Sequence, residues 1–231
     1  MIVSHTHKFI FLKTQKCAGT SIELALSEIC GPDDVITPVP PADEKMRKGR
    51  GPQNEIIPLQ FRKFGWRLKS TLRLRTSHAG LRYFNHMSAS AIRAAMDPAL
   101  FDAYRKLTVV RNPWDREVSL YYWTFRDRTR RPSFDRFVRR WKHRPERKNF
   151  DLYTIDDRVV ADVVLRYENL GEDFSAFVGS LDIQEPPELP RAKTQQRKNG
   201  TANYRDLYST ATEEIVRKRY AREIEAFGYQ F

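Results

Sequence analysis

Residues 8–26, KFIFLKTQKCAGTSIELAL, constrain the fold of this chain more than any other stretch. Phe9-Ile10-Phe11-Leu12 is a short apolar run that suits a buried strand, and Ile22, Leu24, Ala25 and Leu26 suit the packed face of a helix. Between them lies Lys13-Thr14-Gln15-Lys16-Cys17-Ala18-Gly19-Thr20-Ser21, a tight turn of small, hydroxyl and cationic residues. Such a turn aims backbone N–H groups and the positive end of a helix at one point, where an anion can sit. Thr20 and Ser21 add hydroxyl donors, and Lys16 adds a mobile point charge. The reading is a phosphate cradle; the plainer alternative is a strand–turn–helix whose lysine is only solvated. The loop departs from the ATP-type pattern G-x-x-x-x-G-K-[ST], because its lysine precedes Gly19 instead of following it.

A second stretch repeats the logic. LTVVRNPWDREVSLYYW reads as a strand, then Arg111, then a helix with Asn112 as N-cap and Pro113 at its first position. Ser119 falls about two helical turns after Arg111, near the face on which the helix began. An arginine fork matches phosphate oxygens, so the two side chains suit one phosphate. The alternative is an arginine that pairs with a carboxylate and a serine that bonds its own helix.

The remaining elements alternate. Ser88 is a plausible N-cap for SASAIRAAM, which Asp97-Pro98 ends; residues 159–167 form a third strand candidate; and Thr210-Ala211-Thr212-Glu213 reads as a capping box for the last helix. Residues 31–76 form an irregular basic excursion that suits an acceptor-facing role, and residues 126–148 carry a dense arginine cluster. Strands separated by helices, with no repeat or linker, predict one α/β domain over 1–231: P-loop-like, with a mainly parallel sheet flanked by helices. The net charge of +12 implies anionic partners. Two cysteines, Cys17 and Cys30, are too few for a disulfide framework or a zinc site. No charged-then-apolar leader is visible and no run approaches roughly 18 apolar residues, so the expectation is a soluble, cytoplasmic protein.

The two motifs together resemble those of sulfotransferases that use 3′-phosphoadenosine 5′-phosphosulfate (PAPS). The loop is similar to their 5′-phosphosulfate form P-K-T-[AG]-G-T-S, with Gln15 in place of proline and Cys17 in place of threonine. RNPWDREVSLYY is similar to their 3′-phosphate form R-[ND]-P-x-[DE]-R-x-x-S-x-Y-Y. HMSASAIR, LRYENLGEDF, LPRAK and FGYQF extend the resemblance to the family-2 group related to heparan and chondroitin sulfotransferases. It covers most of the chain and is weakest over 31–76.

The resemblance implies a donor site in which Lys16, Cys17, Ala18, Gly19, Thr20 and Ser21 cradle the 5′-phosphosulfate. Arg111 and Ser119 would read the 3′-phosphate, and Arg197 and Lys198 would belong to a late segment that closes over the nucleotide. Lys16 would neutralise charge on the leaving phosphate. His86 is the leading general base, since a histidine titrates near neutral pH. His78 is the runner-up and Glu23 a distant third, taken as helix surface; His5 and His7 fall in a terminus expected to fray. Cys17 is read as a small residue that fits the turn; the alternative is a thiol whose pKa a helix end and Lys16 would lower. No Walker-B-like acidic strand end is present, so no metal is expected. The acceptor is a hydroxyl compound: an acidic saccharide or glycoconjugate leads, with glycolipids, phenols and small alcohols open. Nucleic acid is not the expected partner, and oligomeric state is left open. The rival functions are a P-loop kinase or NTPase and a non-enzymatic polyanion or nucleic-acid binder.

Overall fold

The computed structural model describes residues 1–61, 82–140, 149–190 and 203–231. Its centre is a five-stranded sheet made of β1 (Ile2–Ser4), β2 (Phe9–Leu12), β3 (Val35–Ile36), β4 (Arg105–Val110) and β7 (Val163–Arg166) in the order β3-β1-β2-β4-β7. β2 pairs parallel with β4, and β4 with β7. β1 runs antiparallel to both β2 and β3. Four strands therefore share a direction and β1 opposes them. A mostly parallel sheet was expected; the antiparallel β1–β2 hairpin inside it was not.

The period-2 alternation of the strands sorts the core. Phe9 and Phe11 face one side with Leu107, Val109 and Leu165, against Ile22 and Leu26 of α1 (Gly19–Leu26) and Phe174 and Phe177 of a later helix, Leu170–Gly179. Ile10 and Leu12 face the other side with Val3, Ile92 and Phe101. α2 (Pro41–Glu44) follows β3, and α3 (Ala89–Arg93) and α4 (Pro98–Ala103) pack on that second side of the sheet. A third cluster surrounds Trp114 and joins α5 (Pro113–Thr124) to α6 (Phe134–Arg140) and, past α7 (Leu170–Gly179), to α8 (Thr210–Arg219) and α9 (Ala221–Phe227).

Several local expectations change. The region of His5 and His7 is an ordered hairpin turn. Asp34 accepts from the His5 and Thr6 N–H groups at 2.7 and 3.0 Å, and His5 Nδ1 lies 2.8 Å from the Tyr104 hydroxyl. The third strand candidate is split: Arg158–Val159 (β6) pairs antiparallel with Thr154–Ile155 (β5), and only Val163–Arg166 joins the main sheet. The last capping box sits one residue earlier than expected, with Ser209 as N-cap exchanging bonds with Thr212. Asn112 and Ser88 cap their helices as expected, through bonds from Trp114 N–H and Ala91 N–H.

Candidate active site

The carboxyl ends of β2, β4 and β7 meet at one edge, where an open parallel sheet characteristically binds ligands. Thr14 Oγ1 donates to the Val109 carbonyl at 2.5 Å, and Thr108 Oγ1 to the Leu12 carbonyl at 3.0 Å, stitching the ends of β2 and β4 together. Each strand then delivers part of the site.

After β2 the chain turns through two residues in the left-handed region, Lys16 (φ 62°) and Ala18 (φ 59°). Non-glycine residues rarely adopt it, and such strain concentrates at functional positions. The turn opens α1 with Ala18 as N-cap and no side chain bonded to the cap. The hydroxyls of Thr20 and Ser21 have no hydrogen-bond partner among the described residues. Gly19 is required by close approach: an added Cβ would lie 2.8 Å from Lys13 Cγ and 3.1 Å from the Thr14 carbonyl oxygen. The loop thus has an uncapped helix start, hydroxyls and a glycine-tight backbone.

After β4, Arg111 ties the second motif to the first. Its guanidinium is 4% exposed, grips Asp115 through Nε and Nη2 at 2.7 Å each, and donates from Nη1 to the Lys16 carbonyl at 2.9 Å. Tyr167, just beyond β7, lies under it at 3.9 Å. The carboxylate-pairing alternative is therefore realised, and the same side chain holds the cradle loop. One N–H on each terminal nitrogen is left over from these bonds. Ser119, half-buried on α5, bonds no described residue. Trp123 lies one turn further along the same helix face, and Lys16 Nζ sits 5.3 Å from its ring, within cation–π range.

His86 reaches the loop from the other side. Its backbone is left-handed (φ 60°), and Nδ1 lies 3.0 Å from the Lys13 carbonyl. A carbonyl only accepts, so Nδ1 carries the proton and Nε2 presents a lone pair. Burial, followed by the Lys13 charge, lowers its pKa to about 4, which keeps the ring neutral.

Two expectations need correction. Glu23 is not helix surface: it is fully buried, bonded to Lys13 Nζ at 2.5 Å, to the first-residue ammonium at 3.1 Å and to Thr37 Oγ1 at 3.1 Å. Burial alone would push its carboxyl up; the two ammonium groups outweigh that and hold it below the usual range. It is held as an ion between two buried ammonium groups, away from the helix surface. Cys17 is 1% exposed and packs into the core, and burial raises its thiol pKa to about 11, so its side chain is neither a ligand group nor an activated thiol. Its backbone N–H is the part of Cys17 left to the candidate cradle. His78, Arg197 and Lys198 lie outside the described residues.

The sequence reading did not single out Lys13, Asn85, Trp123, Tyr167 or Asn149. Asn85 Oδ1 is 3.2 Å from Lys13 Nζ, and Asn149 bonds the Gln15 backbone. Asp115 was legible as an i,i+4 partner of Arg111. Asn149 lies 134 residues from its partner and leaves no local signal.

The family model Sulfotransfer_2, described as the sulfotransferase family, matches residues 1–230. This chain belongs to the sulfotransferase family. An uncharacterized protein of Archaeoglobus fulgidus is similar to this sulfotransferase, at 36% identity over 105 residues, which cover 43% of this chain and 85% of the relative. No solved structure matches it. Among the described residues of the sulfotransferase, no helix is long and apolar enough to cross a membrane, and no cluster of histidine, cysteine and carboxylate side chains suits a metal.

Proposed function

We propose that this sulfotransferase moves a sulfuryl group from PAPS to a hydroxyl acceptor, with an acidic saccharide or glycoconjugate as the favoured class. The observation that carries the reading is the 2.9 Å bond from Arg111 Nη1 to the Lys16 carbonyl. It joins two anion-binding motifs, 95 residues apart in sequence, at one sheet edge. A nucleotide with separate 5′ and 3′ phosphates suits such a pair better than ATP does.

The loop fits the donor's 5′ end by its uncapped helix start, its hydroxyls and a backbone that a Cβ at Gly19 would block. When bound, PAPS supplies a sulfuryl group activated by a phosphate leaving group. The N–H groups from Cys17 to Ser21 and the hydroxyls of Thr20 and Ser21 hold the 5′-phosphosulfate. Lys16, whose Nζ lies 5.3 Å from the Trp123 ring, would be the cation that neutralises charge on the leaving phosphate. The free N–H groups of Arg111 and the hydroxyl of Ser119 would read the 3′-phosphate. His86 Nε2 accepts the proton of the attacking hydroxyl, and the donor's negative charge raises its basicity on binding. Positioning and charge stabilisation do most of the work, as in phosphoryl transfer.

The acceptor class is supported by the loop after α5, where Arg126, Arg128, Arg130 and Arg131 are exposed and Arg126 stacks on Trp123 at 5.0 Å. A cationic rim beside Lys16 favours an anionic acceptor.

A ligand that binds only the native state raises the melting temperature by mass action. PAPS or adenosine 3′,5′-bisphosphate is expected to stabilise the protein, with little effect from ATP and magnesium. The reverse order would favour a kinase or NTPase. Radiolabelled PAPS offered to a panel of saccharides, glycolipids, phenols and small alcohols then identifies the acceptor. In that assay His86→Ala should abolish transfer and spare bisphosphate binding.

A further inference from the structure

We propose that Asn149 is the positioning residue that holds the anion loop in its binding conformation. Its side-chain amide pairs with both backbone groups of Gln15. Oδ1 accepts the Gln15 N–H at 2.9 Å, and Nδ2 donates to the Gln15 carbonyl at 2.9 Å. That reciprocal pairing permits one orientation of the amide only. Nδ2 also lies 3.6 Å from Cys17 Sγ, so one buried side chain, 1% exposed, touches the residues on both sides of Lys16.

Gln15 and Cys17 are the two positions at which the loop departs from the P-K-T form. A proline at position 15 would restrict φ through its ring and offer no N–H. Glutamine restores both the freedom and the donor, and Asn149 takes up the donor while removing the freedom. Together with Arg111 on the Lys16 carbonyl, it fixes the backbone on either side of the left-handed Lys16. Without the clamp, that strained residue is free to relax to an ordinary conformation, taking the N–H groups of the cradle with it.

The consequence for donor binding rests on the sulfotransferase reading, but the loop geometry can be measured without a ligand. Cys17 is the reporter. In a Cys30→Ser background, alkylation of Cys17 by N-ethylmaleimide reads opening of the loop, while thermal melting confirms the fold. Asn149→Ala is expected to speed alkylation by about tenfold or more, a change of the size that follows loss of paired backbone groups. The same variant should bind adenosine 3′,5′-bisphosphate about tenfold more weakly. Gln15→Pro removes the N–H that Asn149 accepts but restricts φ at the same position, and should give a smaller rise in alkylation; it carries the test if Asn149→Ala does not fold. Unchanged alkylation in a folded variant overturns the clamp. Faster alkylation with unchanged bisphosphate affinity overturns its role in binding. Faster alkylation in a protein whose parent binds no bisphosphate leaves the clamp standing and removes the donor reading instead.

Discussion

His86 donates its Nδ1 proton to the Lys13 carbonyl at 3.0 Å, and burial lowers its pKa to about 4. An unfolded histidine titrates near about 6.5, so between those values the unfolded chain binds more protons than the native one. Stability from this group is therefore complete above about pH 6.5 and is lost as pH falls toward 4, by on the order of 3 kcal/mol. Urea unfolding across pH 4–7 should show this slope in the parent protein and a shallower one in His86→Gln. Equal slopes would mean that the ring is not held neutral. Because kcat/KM reports the free enzyme, its acid limb should fall below pH 6, not near 6.5. A second contrast tests the loop backbone. Ala18→Gly relieves a left-handed alanine and should be neutral or stabilising by up to about 1 kcal/mol. Gly19→Ala drives a Cβ to 2.8 Å from Lys13 Cγ and should destabilise the protein and weaken nucleotide binding. Similar effects of the two substitutions in calorimetric melting would contradict this backbone.

Helix α5 supplies Ser119 and Trp123, and two ion pairs bolt it to the C-terminal helices. Arg116, 2% exposed, meets Glu223 of α9 at 2.6 Å, and Arg219 of α8 meets Glu117 at 3.1 Å. Burial alone would lower the Arg116 pKa, but neighbouring negative charge, Glu223 first, raises it above the usual value. Arg116 Nη1 has no hydrogen-bond partner of its own, so the guanidinium depends on that carboxylate. Glu223→Ala leaves a buried charge uncompensated and should cost about 3–5 kcal/mol in denaturant unfolding. A loss below about 1 kcal/mol would show that the pair does not secure α5. The caps of these elements were unevenly legible. Asn112 followed by Pro113 is a local signal and fell where it was expected. Thr210…Glu213 also satisfies a capping pattern, yet Ser209 takes the position because Thr212 Oγ1 accepts its N–H at 2.9 Å. Two overlapping patterns cannot be separated by spacing alone.

Across the whole molecule, the parts of the site that follow a strand directly were readable. Lys16 to Ser21 and Arg111 to Ser119 are contiguous, and their strand–turn–helix pattern places them at the carboxyl edge of a parallel sheet. Burial and long-range pairing were not readable. Glu23 looked like a surface residue because one helix turn does not reveal that Lys13 and an ammonium group meet it inside the protein. The sequence reads Cys17 as a small residue that fits the turn, with an activated thiol as the alternative; the thiol packs into the core, which removes the alternative and which its cationic sequence neighbours could not reveal. The hairpin of β1 and β2 escaped notice because its turn carries no glycine or proline, and Asp34, far along the chain, supplies the acceptor for its N–H groups. The central claim is that the loop and the Arg111–Ser119 helix form one site for two separate phosphates. Titration calorimetry of adenosine 3′,5′-bisphosphate against adenosine 5′-phosphate tests it most directly. The expected result is tighter binding of the bisphosphate by about tenfold or more, which is about 1.4 kcal/mol, shrinking in Ser119→Ala. Equal affinity for the two nucleotides would contradict it.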